Sequence, residues 1–296
     1  YGHTSTYIND VSQDGHYLLF SRREPNLTER PFSRTYIYKM DLRTMHVDTL
    51  IKGEKFVSRA VFSPDATQLL VDASGEAFDG IGLKIKEGQT SNTSDGQLFL
   101  YNITDKSIKP LTKDFDPSVD SYEWNALDKQ IYIMAKDKDR VRMYSLNPSN
   151  GKIKQLQAKE DVISDYSIAN QAFEMVYFGL SASNSQRLYT YNLKNDASSC
   201  LIDLSKEILR DVTLGEVQDW NFVSAQGDTI YGRFYLPPHF DATKKYPMIV
   251  NYYGGTTPTA RVMESRYPSH VYAGLGYIVY IIQPSGAVSY THLRAH

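Results

Sequence analysis

Cysteine occurs once in the 296 residues, at Cys200, which excludes an intramolecular disulfide framework. Long hydrophobic runs are also missing. The longest, Tyr277 to Ile282, is far short of the roughly 20 residues that a membrane-spanning helix needs. Neither sign of charge is in surplus. A formal net charge of −2 gives no reason to expect nucleic acid or an anionic membrane surface as a partner. Neither a metal nor a cofactor is expected. The chain opens at Tyr1 without a Met, so an upstream segment carrying any leader is expected outside this sequence.

Hydrophobic residues make up 41% of the chain, enough to bury a sizeable core. Tyr, at 23 residues against 12 Phe and two Trp, leans the composition toward β structure. One pattern recurs four times: β-forming residues, then a polar residue, then an aliphatic one. The copies are Ile37 to Leu42, Leu98 to Ile103, Val141 to Leu146 and Leu188 to Leu193. Each is preceded by a turn and a strand, as at Asp14-Gly15 before Tyr17 to Ser21. A polar turn and a return strand follow, as in His46 to Ile51. The polar positions Asp41, Asn102, Ser145 and Asn192 are 61, 43 and 47 residues apart. Periods of 40 to 50 residues with about four short strands each predict β-propeller blades. A long loop, Ala73 to Gly96, accounts for the one wide interval. A β-sandwich also has many short strands, but it does not repeat its strand order at this period. About four blades are visible. Four is the fewest that close a ring, and the first strand lies almost at Tyr1, so further blades are expected upstream. The Asp and Asn residues at blade corners read as turn formers.

The grammar changes after a stretch, Leu201 to Arg210, that reads as a short helix. Val217 to Ala225 and Thr229 to Leu236 read as a hairpin about Gln226-Gly227-Asp228. The sequence Lys244 to Thr257, KKYPMIVNYYGGTT, then reads as a short buried strand emptying into a glycine loop. Pro247 suits the first residue of a strand, and Gly254 and Gly255 permit unusual backbone angles. Helix-like spacing runs from Ala260 to Gly274, with Pro268 predicting a kink or a late start. Gly276 stands where a helix terminator belongs. Tyr277 to Ile282, apolar on successive residues, predicts a strand buried on both faces, as in a parallel sheet flanked by helices.

YPMIVNYYGG, a helix, and GYIVYIIQPSGA together resemble the prolyl oligopeptidase family of serine peptidases, especially its dipeptidyl-peptidase-like branch. The resemblance runs through Ala287. It implies a β-propeller joined to an α/β-hydrolase domain, and amide hydrolysis by a Ser-Asp-His triad. The Ser of such enzymes sits on a G-x-S-x-G elbow, and this sequence has none. Ser74 and Ser285 both lack the preceding Gly, although Ser285 falls at a strand end. His3, His16, His46, His239 and His270 read as solvated or structural, so the triad is expected beyond His296. The resemblance also implies that Tyr253 donates a hydrogen bond to the oxyanion, with Tyr252 the alternative if the register shifts by one. The branch's paired propeller Glu residues have no counterpart here. Glu160-Asp161 is the nearest approach.

The expected class is therefore mainly β plus α/β, a partial propeller over residues 1–211 and the N-terminal part of an α/β-hydrolase domain over 212–287. VSYTHLRAH, residues 288–296, reads as a non-native tail. The parent is expected to be a serine-type peptidase acting on peptides, and the fragment is expected to be inactive. Two alternatives stand beside it: a non-catalytic propeller binding module, and an acylaminoacyl-peptidase or esterase on the same scaffold. Export to the periplasm or secretion is the expected location, with the cytoplasm as alternative. Oligomeric state is not legible.

Overall fold

The computed structural model describes residues 4–227, 229–254, 257–283 and 292–293. The chain divides into two compact units. The described part of the first comprises the residues up to Ile133 together with Tyr144–Lys154 and the pair His292–Leu293, and that of the second comprises Met134–Met143 and the chain from Gln155 to Gln283.

The first unit holds two complete four-stranded meanders. One runs β1 (Ser5–Val11), β2 (Tyr17–Pro25), β3 (Ser33–Asp41), β4 (Val47–Glu54). The next runs β5 (Val57–Phe62) and β6 (Gln68–Ser74). It then crosses the long loop, with α1 (Ala77–Gly80) and the two-residue β7 (Thr90–Ser91), to β8 (Gly96–Asn102) and β9 (Ile108–Pro110). A third meander has β10 (Ser118–Trp124), β11 (Ile131–Asp137), β12 (Arg140–Leu146) and β13 (Ile153–Gln155). The tip of its β11–β12 hairpin belongs to the second unit. Leu19, Ile37, Ile51, Phe62, Leu69, Val71 and Phe99 interlock as the core of the first unit, together with Ala77 from the long loop.

The corners explain the repeat. Asp41, Asn102, Asn147 and Asn192 each accept a hydrogen bond on Oδ1 from the backbone N–H two residues on. Four residues beyond each lies a residue with positive φ: Met45, Lys106, Gly151 and Asp196. The third corner is thus Asn147, not Ser145, and the intervals become 61, 45 and 45 residues. Side-chain spacing alone cannot fix a register that a short Asx turn decides.

The second unit carries a fourth meander: β14 (Val162–Ile168), β15 (Glu174–Ser181), β16 (Asn184–Asn192), β17 (Ala197–Asp203), and one parallel pairing, Val162 with Val141 of β12, joins it to the third in an eight-stranded sheet. The helix expected over 201–210 does not form. Ile202 and Asp203 are in ladder register with Leu188 and Arg187, and the chain then runs in turns through Asp211. Asp203 breaks the strand by accepting from the Ser205 N–H at 2.9 Å and from its hydroxyl at 2.7 Å.

A mixed sheet follows. Its strands are β18 (Val217–Asp219), β19 (Phe222–Val223), β20 (Thr229–Tyr235), β21 (Met248–Tyr252) and β22 (Ile278–Gln283), in the order β18-β20-β22-β21 with β19 also on β20. The expected hairpin is present, but its first arm is interrupted at Trp220 and Asn221, where Asn221 Oδ1 accepts from Gly232 N. Strands β21 and β22 are parallel, and β22 runs antiparallel to β20. The helix α2 (Ser269–Gly274) starts late, directly after Pro268, and ends at Gly276 with φ +94°. Its Ala273 packs with Val279, Ile281, Tyr235 and Ala182. On the other face Tyr280 lies 4.5 Å from Phe234, ring to ring, and edge-on to Trp220. Strand β22 is therefore covered on both sides, as its unbroken apolar run requires.

Strand β21 departs from expectation. Met248 and Val250 are 54% and 50% exposed. An apolar run of three is compatible with burial, but β21 lies at the end of the sheet order, where one face is left uncovered. Of residues 288–296 only His292 and Leu293 are described, as β23 (His292–Leu293) paired with β7.

Candidate active-site loop beyond the parallel strands

The loop of interest leaves β21 at its carboxyl end, the place where open α/β sheets bind ligands. Tyr252 is the last strand residue, opposite Ile282 in register, and is 68% exposed. Tyr253 follows at 59% exposed, with its side chain accessible to solvent. Gly254 does not take a positive φ, and a Cβ there would meet no atom within 4 Å. The left-handed backbone that a glycine permits is therefore not used at Gly254. Gly255 lies outside the described residues.

The far side of the loop is pinned from three directions. Gln283, the last residue of β22, receives the Thr259 N–H on Oε1 at 2.9 Å and donates Nε2 to the Thr259 carbonyl at 2.8 Å. Arg233 on β20, only 2% exposed, donates to the carbonyls of Thr259 and Ala260 at 3.1 and 2.7 Å. The Arg261 N–H reaches the Asp139 carbonyl at 3.2 Å.

Those groups belong to a larger ionic cluster. Asp139, at the β11–β12 tip, accepts from Arg233 Nη1 at 2.9 Å, and its Oδ2 lies 2.8 Å from Arg261 Nε. Arg261 also pairs with Asp219, and Arg140 reaches both Asp161 and Asp219. Three guanidinium groups thus face three carboxylates, so the cluster is neutral as a whole. Burial opposes the Arg261 charge, but the carboxylates of Asp139, Asp219 and Asp161 raise its pKa above the ordinary arginine value. Burial likewise pushes the Asp219 carboxyl up, and the hydrogen bonds and charges of Arg261 and Arg140 bring it below the usual range. Both shifts favour the charged forms of Arg261 and Asp219.

The sequence did not mark this cluster. One signal was available: Arg233 stands mid-strand between Tyr231 and Tyr235 on a face that a buried strand would keep apolar. The other residues singled out in the sequence lie apart from this cluster or take part in its pairs. His16 and His46 are exposed beside Asp14 and Asp48 at 3.0 and 3.1 Å. His270 is packed against Tyr235 and bonded to the Ala182 carbonyl at 2.9 Å, and burial lowers its pKa. Glu160 binds Arg187 at 3.0 Å and the Tyr189 hydroxyl, while Asp161 binds Arg140 at 3.1 Å. Ser74 is buried at the end of β6, and Ser285 and His3 lie outside the described residues.

No family model matches the chain. Dipeptidyl-peptidase 5 of Aspergillus fumigatus is 25% identical over 307 residues, covering 98% of this chain and 40% of that protein. Dipeptidyl-peptidase 5 of Porphyromonas gingivalis is 25% identical over 271 residues, covering 90% and 38%. The chain therefore spans about 40% of the length of the curated relatives it matches. Among solved structures, P. gingivalis dipeptidyl peptidase 4 superposes with a TM-score of 0.59 at 14% identity, over 96% of this chain and 50% of that one. Pyrococcus horikoshii acylaminoacyl peptidase gives 0.54 at 14% identity, over 97% and 59%. Such neighbours are propeller plus α/β-hydrolase peptidases. The chain, with its repeated meanders and mixed sheet, is thus similar in sequence to dipeptidyl-peptidases 5 and in fold to the prolyl oligopeptidase and dipeptidyl-peptidase 4 group.

Proposed function

We propose that this chain is part of a serine-type peptidase, with a propeller module over 1–211 and the first strands of its hydrolase domain over 212–287. The reading rests on one observation: sequence similarity to dipeptidyl-peptidases covers 98% of the chain, meanders and mixed sheet alike. Tyr253 is the proposed oxyanion donor. Its exposure beyond β21 leaves the hydroxyl free to meet a substrate carbonyl, and its place in the Y-Y-G-G motif is where the resemblance puts such a donor. A preorganised donor aimed at developing negative charge is stronger in the transition state than in the ground state. The triad is supplied from outside these 296 residues, whose sequence holds no G-x-S-x-G, so the chain alone is inactive.

The test uses the full-length gene product. A fluorophosphonate probe should label one serine. Dipeptide-linked and acyl-blocked chromogenic substrates then separate a dipeptidyl peptidase from an acylaminoacyl-type enzyme. Tyr253→Phe should lower kcat by about 10²–10³-fold with little change in KM, as loss of one oxyanion donor does. A full-length product that takes up no label would leave a non-catalytic propeller binder in its place.

A further inference from the structure

We propose that Gln283, supported by Arg233 and Asp139, is a positioning residue for the Tyr253 loop, an inference that rests on the oxyanion reading of Tyr253.

The loop is held at two points on one sheet. At its start, Tyr252 is fixed by the parallel ladder opposite Ile282. At its end, Thr259 is fixed by Gln283, the very next residue of the same strand, through both the N–H and the carbonyl. Arg233, paired with Ile281 in the adjoining strand, takes the Thr259 and Ala260 carbonyls as well. The distance between the loop's ends is thus set by consecutive residues of one buried strand. Neither anchor carries the reaction. Both decide where the residues between them can go.

Residue chemistry suits that role. Gln283 is 5% exposed, and its amide offers one donor and one acceptor to a single peptide unit, as a neighbouring strand would. Arg233 sits in a fixed fork, with four acceptors around it: Asp139 Oδ2, Tyr235 Oη and the two loop carbonyls. Asp139 supplies the counter-charge from an independent hairpin. A planar guanidinium so occupied has no freedom to let the loop drift. Small misplacements matter because a shift of about 1 Å at a reacting group can cost as much as 10²-fold in rate.

The experiment is a double-mutant cycle on the full-length enzyme between Gln283→Met and Tyr253→Phe. Met keeps the volume of Gln and removes both loop bonds. Gln283→Met should lower kcat by about 10-fold or more with KM within about 2-fold. In the Tyr253→Phe background it should cost no more than about 2-fold further, because the group it positions is already gone. A fall of equal size in both backgrounds would mean general damage and would overturn the inference. So would an unchanged kcat in Gln283→Met when Tyr253→Phe is impaired, and that outcome leaves the oxyanion reading intact. An unchanged kcat in Tyr253→Phe removes the oxyanion reading and this inference together. Arg233→Lys supplies a second probe, expected to follow Gln283→Met in both backgrounds.

Discussion

Replacing Asp139 by Asn removes one negative charge from a site where two guanidinium groups depend on it. Arg233 is almost fully buried and pairs with no other carboxylate among the described residues, whereas Arg261 keeps Asp219. Breaking a buried ion pair from one side costs about 3–5 kcal/mol, because the remaining charge stays desolvated. Asn retains an acceptor oxygen for Arg233, so the expected loss is about 3 kcal/mol. With a urea dependence of about 2 kcal/mol per molar, that is a fall of roughly 1.5 M in the unfolding midpoint. Trp220, packed against Phe222, Phe234 and Tyr280, reports on the sheet that contains Arg233. Trp124 lies in the first unit, so a Trp124→Phe background leaves Trp220 as the sole tryptophan of the 296-residue chain, to be excited selectively over its 23 Tyr. Glu207→Gln, which breaks the exposed Arg210 pair at 3.1 Å, is the control and should leave the midpoint unchanged. Asp139→Leu combined with Arg233→Met should recover most of the loss, since apolar replacements of a buried pair are often neutral. A shift for Asp139→Asn no larger than the control's would refute the reasoning.

Three further outcomes follow from the packing and charge. Burial raises the Asp95 carboxyl to about 7, so between its unfolded pKa and that value the folded state binds the extra proton. Stability from this group is therefore lost as pH rises through that window. Asp95→Asn should be more stabilising at pH 8 than at pH 5 in urea titrations, and an equal effect at both would contradict it. A Cβ on Gly215 would lie 1.7 Å from the Leu236 carbonyl oxygen, while one on Gly274 meets no atom within 4 Å. Gly215→Ala should cost about 3 kcal/mol or more, whereas Gly274→Ala, at a helix position, should be neutral or stabilising by up to about 1 kcal/mol in thermal melts. The exposed apolar stripe Met248, Val250 and Tyr252 on an end strand is expected to drive aggregation. Val250→Lys should slow aggregation of the 296-residue chain in light scattering, and an unchanged rate would show that the strand is not the contact.

The sequence alone determined the repeated four-stranded modules, the hairpin, the parallel pair and the late helix. Each depends on local signals: turn residues, a proline without an N–H, or apolar runs of definite length. The tertiary structure alone decided that the third corner is Asn147, since an Asx turn fixes register by one hydrogen bond. It decided too that Leu201 to Asp203 extend a strand, because ladder pairing with β16 outweighs helix propensity. The same holds for the exposure of Met248 and Val250, which follows from strand order rather than from composition. Most of all, Asp139, Arg233, Arg261 and Gln283 are up to 144 residues apart in the chain. Their meeting at one loop is a long-range event. No spacing rule encodes it, because the partners of a buried charge are chosen by how strands assemble.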